Sequence, residues 1–492
     1  MFRTYLVVCV ALLGLGTGLA VGAEEAAQDA APPVADTAGP QPEEAAGPLP
    51  LSQALELVLL RSPYLESYAW DVRAADARAL QARLRVNPVF SLQFDEVRWE
   101  DGPETHTSIR RLGDGAEIER RTQEGDASGF GEAEITVTLS QDIELGKKRA
   151  KRTRLSEQER DVAARDYQVA KAAVLAETAK DFAQVLAQQA QLELAGERVA
   201  HAEEVVEKLE RSRLPVTARN KATTGLTEAM IEQSRVRRDL DTARLRLASH
   251  WGSTAPRFER ADGQLGALPP LPSQAVVLER IEENPEIGRW AAELEAREAA
   301  LAVERAQAVP DLETRIGFRS DRLRSRDTRG FSLRPDRFEL EERHRSYARS
   351  RDNTLLFEFS IPLPVFDRNQ GAIEEARHLL AKADAESRAV AVRVRTEALS
   401  LWTVLEAART EVDAIETEII PKHTETLATI QKGVQMGGFT HFDLADARRD
   451  LDAARQDRIE ALLAYHEAAA DLQRLIGCPP AAAGNALSNQ ER

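Results

Sequence analysis

Two aspartates three residues apart are the first residues in this sequence whose spacing suggests chemistry. Asp443 and Asp446 follow Gly437-Gly438, a glycine pair that is typical of a turn. Positions i and i+3 of a helix share one face, so the two carboxylates would form a single negative patch. Such a patch attracts cations. Asp443 also stands at a helix start, where a carboxylate stabilises the helix dipole. Both roles remain open on this spacing.

The remaining residues form no catalytic pattern. The eight histidines are scattered, and the sequence has no HExxH motif, no Cys–His zinc spacing and no serine-centred elbow. Gly437-Gly438 differs from a phosphate loop, because no strand precedes it and no Lys-Ser/Thr pair follows. His441 could meet a metal in transit, although a lone histidine at a helix start is more often a surface residue. We therefore expect no enzyme activity, no cofactor and no resident metal.

The composition favours long amphipathic helices over a large globular core. Only 5% of the 492 residues are aromatic, while 30% are charged, and the mean hydropathy is −0.39. The formal net charge of −16 would repel polyphosphate, so we expect no nucleic acid partner.

The N-terminus has the pattern of an exported protein. Residues 1–23 combine Arg3, a short apolar run and the small-residue site Val21-Gly22-Ala23, which together predict a signal peptide. A transmembrane helix is the alternative, but the run is short. Cys9 lies too near the start for a lipoprotein signal, so lipidation is not expected. Residues 24–48 and 479–492 predict a disordered linker and a disordered tail.

The chain repeats its own plan. Ser62-Pro63 and Asn284-Pro285 stand about 220 residues apart, as do Asn87-Pro88 and Val309-Pro310. We therefore predict a tandem duplication, with a first structural repeat over 49–262 and a second over 263–478.

Each repeat contains two segments that alternate apolar and polar residues. They span about 89–99 and 132–143 in the first repeat, and about 310–319 and 353–362 in the second. Alternation over this length predicts strands of a membrane barrel, although a soluble sheet with one wet face gives the same pattern. The intervening loops, roughly 100–130 and 320–352, are long, and the second is rich in arginine. That loop is either a solvated external loop or a contact with anionic lipopolysaccharide.

Two helices are predicted to be much longer than a globular fold uses. The first spans about 149–213 without proline, and the second about 372–436, with a kink expected at Pro421. Residues seven apart predict a coiled-coil seam on each, formed by Val185, Leu192, Val199 and Val206 and by Leu405, Val412 and Ile419. Four shorter helices, about 51–86, 219–250, 273–308 and 441–476, could lie end to end alongside them.

Four strands cannot close a membrane barrel, because the smallest known barrels use eight and open edges in lipid leave backbone groups unpaired. The chain must therefore share a barrel with copies of itself. Two copies give eight strands with a filled interior, whereas three give twelve strands with a lumen.

Two segments resemble the TolC-like outer-membrane efflux family. The segment from Ser360 to Gly371, SIPLPVFDRNQG, resembles the strand-to-helix junction of the heavy-metal (cation) efflux branch. The segment from Gly437 to Ala447, GGFTHFDLADA, resembles the family's periplasmic helix turn. The resemblance implies a homotrimer in outer-membrane lipid, docked onto a periplasmic adaptor protein and an inner-membrane pump of the RND type.

The expected fold class is mostly α with transmembrane β. Long coiled-coil helices would form a periplasmic α-barrel, and four strands per chain would contribute to a trimeric twelve-stranded outer-membrane β-barrel. The resemblance implies a passive efflux conduit for heavy-metal cations, whose constriction gathers Asp443 and Asp446 of three chains beside the turn at Gly437 and Gly438. The alternatives are a periplasmic coiled-coil scaffold or adaptor, and a TolC-like channel for drugs or for type I protein secretion.

Overall fold

The computed structural model describes residues 46–95, 134–210, 216–326, 331–334, 337–342 and 347–477. The predicted signal peptide, nearly all of the predicted linker, the loop at 100–130 and the tail at 479–492 lie outside these residues. The described chain forms two compact units. A helical unit comprises the described parts of 1–79, 155–298 and 378–492, and a strand unit comprises those of 80–154 and 299–377.

Helices make up most of the described chain. They are α1 (Leu51–Arg61), α2 (Pro63–Arg83), α3 (Lys148–Glu210), α4 (Val216–Ser249), α5 (Gln274–Arg280), α6 (Pro285–Gln307), α7 (Gln370–Ala414), α8 (Ile420–Gln435) and α9 (His441–Leu475). The 63 residues of α3 confirm an uninterrupted long helix. Within the described residues, no helix is both long and apolar enough to cross a membrane.

The predicted helices at 51–86 and 273–308 are each divided at an Xaa-Pro bond. The first divides at Ser62, between α1 and α2, and the second at Asn284, after a 3₁₀ turn at Ile281–Glu283. A residue before proline is driven out of the α region, and Asn284 accordingly has ψ 128°. Its side chain then caps α6, accepting from the N–H of Glu286 at 2.8 Å, and donates to the carbonyl of Leu475 at 2.7 Å.

Just before Pro421, where a kink is predicted, the structure has a π-helical turn, Ile415–Ile419, between α7 and α8. Proline has no N–H and its ring clashes with the carbonyl four residues before it. The wider turn relieves this clash, and the N–H of Ile420 bonds to the carbonyl of Ile415. The predicted seam is buried at Leu405 and Val412, but Ile419 is 42% exposed, because the extra residue shifts the helix face.

The helical unit has no single globular core; its buried residues form clusters along the helices. One cluster packs α1, α3 and α4 around Leu57, Phe182 and Leu247. A second packs α7 and α9 around Leu405 and Tyr465. Beside the first cluster, β1 (Pro48–Pro50) pairs in parallel with β4 (Arg260–Asp262), so the predicted linker is already ordered at Pro48.

The strand unit contains an antiparallel sheet in the order β2-β3-β5-β8. Its strands are β2 (Val89–Asp95), β3 (Glu134–Ile143), β5 (Leu312–Arg326) and β8 (Tyr347–Ser360). A separate hairpin joins β6 (Phe331–Arg334) to β7 (Arg337–Glu342). Consequently, residues 320–326 and 347–352, expected in a loop, continue the strands. In the sequence of these segments, arginine stands at alternate positions where apolar residues mark a strand elsewhere, so the apolar–polar alternation that predicts a strand is missing.

The two faces of this sheet differ in chemistry. Two rows on one face are wholly apolar: Phe90, Leu139, Ile316 and Phe357, followed by Leu92, Val137, Phe318 and Leu355. Phe357 is 66% exposed and Leu355 is 67% exposed. On the other face, Arg315 pairs with Glu358 at 2.8 Å and Arg319 with Glu134 at 2.6 Å. The sheet therefore presents an uncovered apolar surface on one side and a charged surface on the other.

Candidate functional site

The glycine pair noted in the sequence forms a tight turn between α8 and α9. Gly437 has φ +77°, a conformation that favours glycine. Its N–H donates to the carbonyl of Val434 at 3.2 Å, and the N–H of Gly438 donates to the carbonyl of Gly433 at 2.9 Å. These bonds satisfy carbonyls at the end of α8 and reverse the chain.

A third glycine, in the last turn of α8, also shapes this reversal of the chain and was not predicted from the sequence. Gly433 is buried inside α8, and a Cβ atom there would collide with the ring of Phe439. The missing side chain therefore makes the slot in which Phe439 packs. A glycine within a helical pattern, four residues before a glycine pair, was the available signal.

Thr440 and Asp443 form a capping box at the start of α9. The Thr440 hydroxyl oxygen accepts from the N–H of Asp443 at 3.2 Å, and the Asp443 carboxylate accepts from the N–H of Thr440 at 2.7 Å. The Thr440 hydroxyl is also 2.7 Å from that carboxylate. Hydrogen bonds from the Thr440 N–H and then its hydroxyl hold the pKa of Asp443 below its usual value. The capping role of Asp443 is thus present in the structure.

Asp446 lies one turn further along α9 and is not part of the cap. Its carboxylate is 69% exposed and stands 3.4 Å from the guanidinium of Arg449, which is 79% exposed. Such exposed pairs contribute little to stability. Of the two aspartates, Asp446 therefore has the carboxylate less engaged by its own chain.

A groove of about 670 Å³ runs between α3, α4 and α9, next to Asp446. His441 and Phe442 also line it, and the Nζ of Lys221 lies 4.7 Å from the centre of the Phe442 ring. This cation–π contact joins the start of α9 to α4. Within the described ranges, no three His, Cys, Asp or Glu residues stand close enough together to hold a metal ion.

Ion pairs tie α9 to α3 in and around the groove. Arg198 approaches the carboxylate of Asp452 at 3.6 Å, and its guanidinium also donates to the Asp452 carbonyl at 3.1 Å. Arg448 pairs with Glu204 at 3.4 Å. Burial raises the pKa of Asp452, and the positive charge of Arg198 opposes that rise. These contacts fix the start of α9 against a helix of the first half of the chain.

Known proteins resemble this chain over most of its length. It is 26% identical to the cobalt-zinc-cadmium resistance protein CzcC of Cupriavidus metallidurans, over 70% of this chain and 77% of CzcC. It is 25% identical to the nickel-cobalt-cadmium resistance protein NccC of Alcaligenes xylosoxydans xylosoxydans, over 74% of this chain and 71% of NccC. The fold resembles the crystal structure of CusC with a TM-score of 0.64 at 15% identity, covering 87% of this chain and 92% of CusC.

The sequence pattern that defines the outer membrane efflux protein family matches this chain twice, over residues 54–253 and 277–478. The two matches follow the predicted duplication and include nearly all of the described residues. They also confirm the resemblance drawn from the junction and turn segments. The chain belongs to the outer membrane efflux protein family, whose members are transport channels of the outer membrane.

Proposed function

We propose that three copies of this chain form one channel that receives heavy-metal cations from an inner-membrane pump and a periplasmic adaptor. The channel is a passive conduit and catalyses no reaction. The four-stranded sheet is the main observation that supports this proposal. Its apolar face is stable when lipid covers it, and its two edges, β2 and β8, are stable when strands of other copies pair with them.

Trimerisation follows from the strand number and the two faces. Three copies of the four-stranded sheet provide the twelve strands that enclose a lumen. The apolar rows then face lipid, and the charged face, with Arg315 and Arg319, lines the passage. The long helices extend the passage into the periplasm, as the family membership supports. The predicted repeats at 49–262 and 263–478 are the units of the proposed duplication.

The proposed constriction stands at the turn between α8 and α9. Threefold symmetry would bring the carboxylates of Asp443 and Asp446 from each copy towards one axis. Asp443 also caps its helix, so Asp446 supplies the more available charge. The turn at Gly437 and Gly438 sets where α9 begins and thereby positions both aspartates.

Heavy-metal cations are the proposed substrate because both curated relatives are named for metal resistance. An acidic entrance suits a cationic substrate. Drug efflux and type I secretion use channels of similar shape, and they are the competing substrate classes. A soluble periplasmic scaffold is the competing architecture, but it would leave the apolar rows of the sheet uncovered.

The test is a deletion strain challenged with zinc, cobalt, cadmium and copper salts and, in parallel, with a panel of drugs. We expect sensitivity to at least one metal, restored by the intact gene and not by a version lacking residues 312–360. Sensitivity to drugs alone would assign the channel to another substrate. Heat-resistant trimers that require detergent, seen on gels, would separate the channel from a soluble scaffold.

A further inference from the structure

Exposed apolar side chains of the strand unit gather beside the two edge strands of its sheet. Neighbouring strands are antiparallel throughout the order β2-β3-β5-β8, so β2 begins at the end of the sheet where β8 ends. The β8 junction, residues 361–369, includes Phe366, which is 92% exposed. The β2 junction, residues 84–88, includes Leu84 and Val86, which are also exposed. Each edge of the sheet therefore has an uncovered apolar segment at the same end.

Hydrogen bonds anchor the β8 junction to α6. The side-chain amide of Asn369 donates to the carbonyl and to the carboxylate of Glu304, both at 2.8 Å. The carboxylate of Asp367 accepts from the N–H of Asn369 at 2.8 Å. The junction is thus held in place, while its side chains Leu363 and Phe366 remain exposed. An apolar segment that is both anchored and uncovered indicates a surface that another molecule covers.

The middle of the sheet shows how two such junctions fit together within one chain. There the segment after β3 meets the segment before β5, at the inner junction. The carboxylate of Asp311 accepts from the N–H of Leu145 at 3.0 Å and lies 2.7 Å from the Nζ of Lys148. Gly146 lies against Val309, since a Cβ atom on Gly146 would be 2.9 Å from the Cβ of Val309. An ion pair therefore closes the inner junction.

The duplicated plan repeats this geometry with an offset of 222 residues. The helix α3 begins at Lys148 and α7 begins at Gln370, and the residue before each helix, Lys147 or Asn369, has a positive φ. The registers of the β2–β3 and β5–β8 pairs agree with the same offset. By this offset, the segment after β8 corresponds to the segment after β3, and the segment before β2 to the segment before β5. An equivalent of the inner junction would thus form where β8 of one copy meets β2 of another.

The edges of the sheet lack the charges that close the inner junction. Asp311 corresponds to Val89 and Lys148 to Gln370, so an apolar residue and a neutral one replace the ion pair. Val89 is exposed at the start of β2, as Phe366 is after β8. Two edges that meet would therefore join through apolar contact.

A second copy of the chain accounts for these apolar segments better than lipid does. Charged groups stand at the same end of the sheet, because Asp311 of the inner junction is 39% exposed and the nearby Glu144 pairs with Arg152. Charge is unfavourable in hydrocarbon, which argues against acyl chains at this level. A neighbouring chain, by contrast, covers the two edges and leaves the inner junction hydrated. It also supplies the apolar partner that each edge needs.

We infer that the β8 junction of one copy packs against the β2 junction of the next. Phe366 would lie on Val86 and on Val89, the first residue of β2. The inference rests on the proposed function, because it takes β8 and β2 of neighbouring copies as adjacent strands. Each copy would bury both of its apolar segments in this way, one on either side. The contact between copies is then hydrophobic at the level where the contact within a chain is ionic.

The first experiment is disulfide cross-linking of the full-length protein in detergent. Phe366→Cys is combined with Val89→Cys and with Cys478→Ser, which removes the other thiol beyond the predicted signal peptide. We expect oxidation to link chains into dimers and trimers that a reducing agent separates, since a disulfide forms only when the two Cα atoms lie within about 7 Å.

The control pair is Phe366→Cys with Leu145→Cys in the same Cys478→Ser background. It should give single chains on denaturing gels, because one strand separates β3 from β8 both within a copy and across the proposed contact. Cross-linking that is no greater with Val89→Cys than with Leu145→Cys would overturn the inference.

A charge exchange tests the chemistry of the contact. Phe366→Asp should raise the dissociation constant of the trimer, measured by analytical ultracentrifugation in detergent, on the order of tenfold, because an apolar contact is lost. Adding Val89→Lys should restore most of the affinity through an ion pair like that of the inner junction. The restored trimer should weaken at high salt, whereas the unmodified trimer should not. If lipid covers Phe366 instead, Val89→Lys would add a second unfavourable charge, and a further loss of affinity would overturn the inference.

Single-channel recording separates this inference from the proposed function. If the unmodified protein forms channels and trimers but neither variant pair behaves as expected, only the contact between the junctions is excluded. If the unmodified protein forms neither channels nor detergent-dependent trimers, the proposed function itself fails. Phe366 is exposed in the single chain, so an unchanged circular dichroism spectrum of Phe366→Asp shows that lost affinity reports the contact and not misfolding.

Discussion

The carboxylate of Asp443 accepts from the backbone N–H of Thr440 at 2.7 Å, and the Thr440 hydroxyl stands equally close. Asp446, three residues later in α9, has an exposed partner in Arg449 at 3.4 Å. Two aspartates that stand three residues apart in one helix are therefore held differently. One completes the helix start, while the carboxylate of the other is available to ions.

The proposed constriction predicts separable effects of the two aspartates. Asp446→Asn should raise single-channel conductance and weaken block by divalent cations, because it removes three negative charges from the trimer. Asp443→Asn, the matched control, should change conductance less and loosen the helix start more. Replacing both with alanine gives the largest change in conductance and block. If the double alanine variant conducts like the unmodified channel, the constriction lies elsewhere.

The capping box predicts that Thr440→Ala frays the first turn of α9. The loss should be about 1 kcal/mol, the usual contribution of a threonine N-cap. Hydrogen exchange at residues 441–444 reports it directly, with residues 460–465 of the same helix as the internal reference. Equal protection in both proteins would mean that the cap does not hold this turn.

The cap also has a defined pH dependence. Asp443 has a folded-state pKa below its usual value of 3.8, so the stability that it contributes is present above that value. It is lost as the pH falls through the lower folded-state pKa. Thermal unfolding of the unmodified protein and of Asp443→Asn should therefore differ from pH 5 to 7 and converge below pH 3.8. A difference that grows on acidification would contradict the sign.

The slot at Gly433 predicts that even an alanine at this position lowers the stability of the protein. Gly433→Ala should destabilise the turn by roughly 1–3 kcal/mol, because the new methyl group overlaps the Phe439 ring. Gly225→Ala in α4 is the control, since its Cβ meets nothing within 4 Å and alanine favours a helix. Adding Phe439→Ala to Gly433→Ala should remove the overlap. Failure of that second change to restore thermal stability would show that the ring is not the obstacle.

The pair of Arg198 and Asp452 predicts a stability change that depends on pH. Burial raises the pKa of Asp452 and Arg198 lowers it, so Arg198→Met should raise that pKa further. A carboxyl group with a raised folded-state pKa loses stability as the pH rises from its ordinary value through the folded one. Loss of the bond to the Asp452 carbonyl lowers the stability of the variant at every pH. Its deficit should be roughly 1 kcal/mol larger at pH 7 than near pH 3.5, after allowance for screening.

Chemical denaturation at both pH values measures the effect of Arg198→Met. Arg235→Met is the matched control, because Arg235 lines the same groove but pairs with the exposed Glu232 at 3.4 Å. It should change stability little at either pH. A deficit of Arg198→Met that is equal at pH 3.5 and pH 7 would exclude the carboxyl group as its cause.

Periodicity predicted the elements of this fold better than their ends. Alternation revealed all four strands of the main sheet, and the absence of proline revealed α3. The parts of β5 and β8 at 320–326 and 347–352 were not predicted, because in the sequence arginine stands at alternate positions where apolar residues mark a strand elsewhere. Where no alternating set of positions is consistently apolar, an apolar-versus-polar pattern gives no signal for a strand.

The sequence predicted only some of the side-chain contacts at the candidate site. Thr440 three residues before Asp443 has the spacing of a capping box, and the carboxylate role at a helix start was anticipated. The contact between Gly433 and Phe439 was not, because it depends on how sharply the chain reverses at Gly437. Contacts across a turn require its geometry, which residue types alone do not specify.

Because of the π turn at Ile415–Ile419, the second long helix differs from α3 in how its residues beyond that turn are arranged around the helix axis. Each residue of an α-helix advances about 100° around the axis. One additional residue in a turn thus rotates everything beyond it by nearly a third of a revolution. In the first half, α3 is an α-helix throughout and contains no π turn. In the second half, the one additional residue of the π turn, just before Pro421, sets the rotation of α8 about its axis. It also sets the direction of the glycine turn that follows α8.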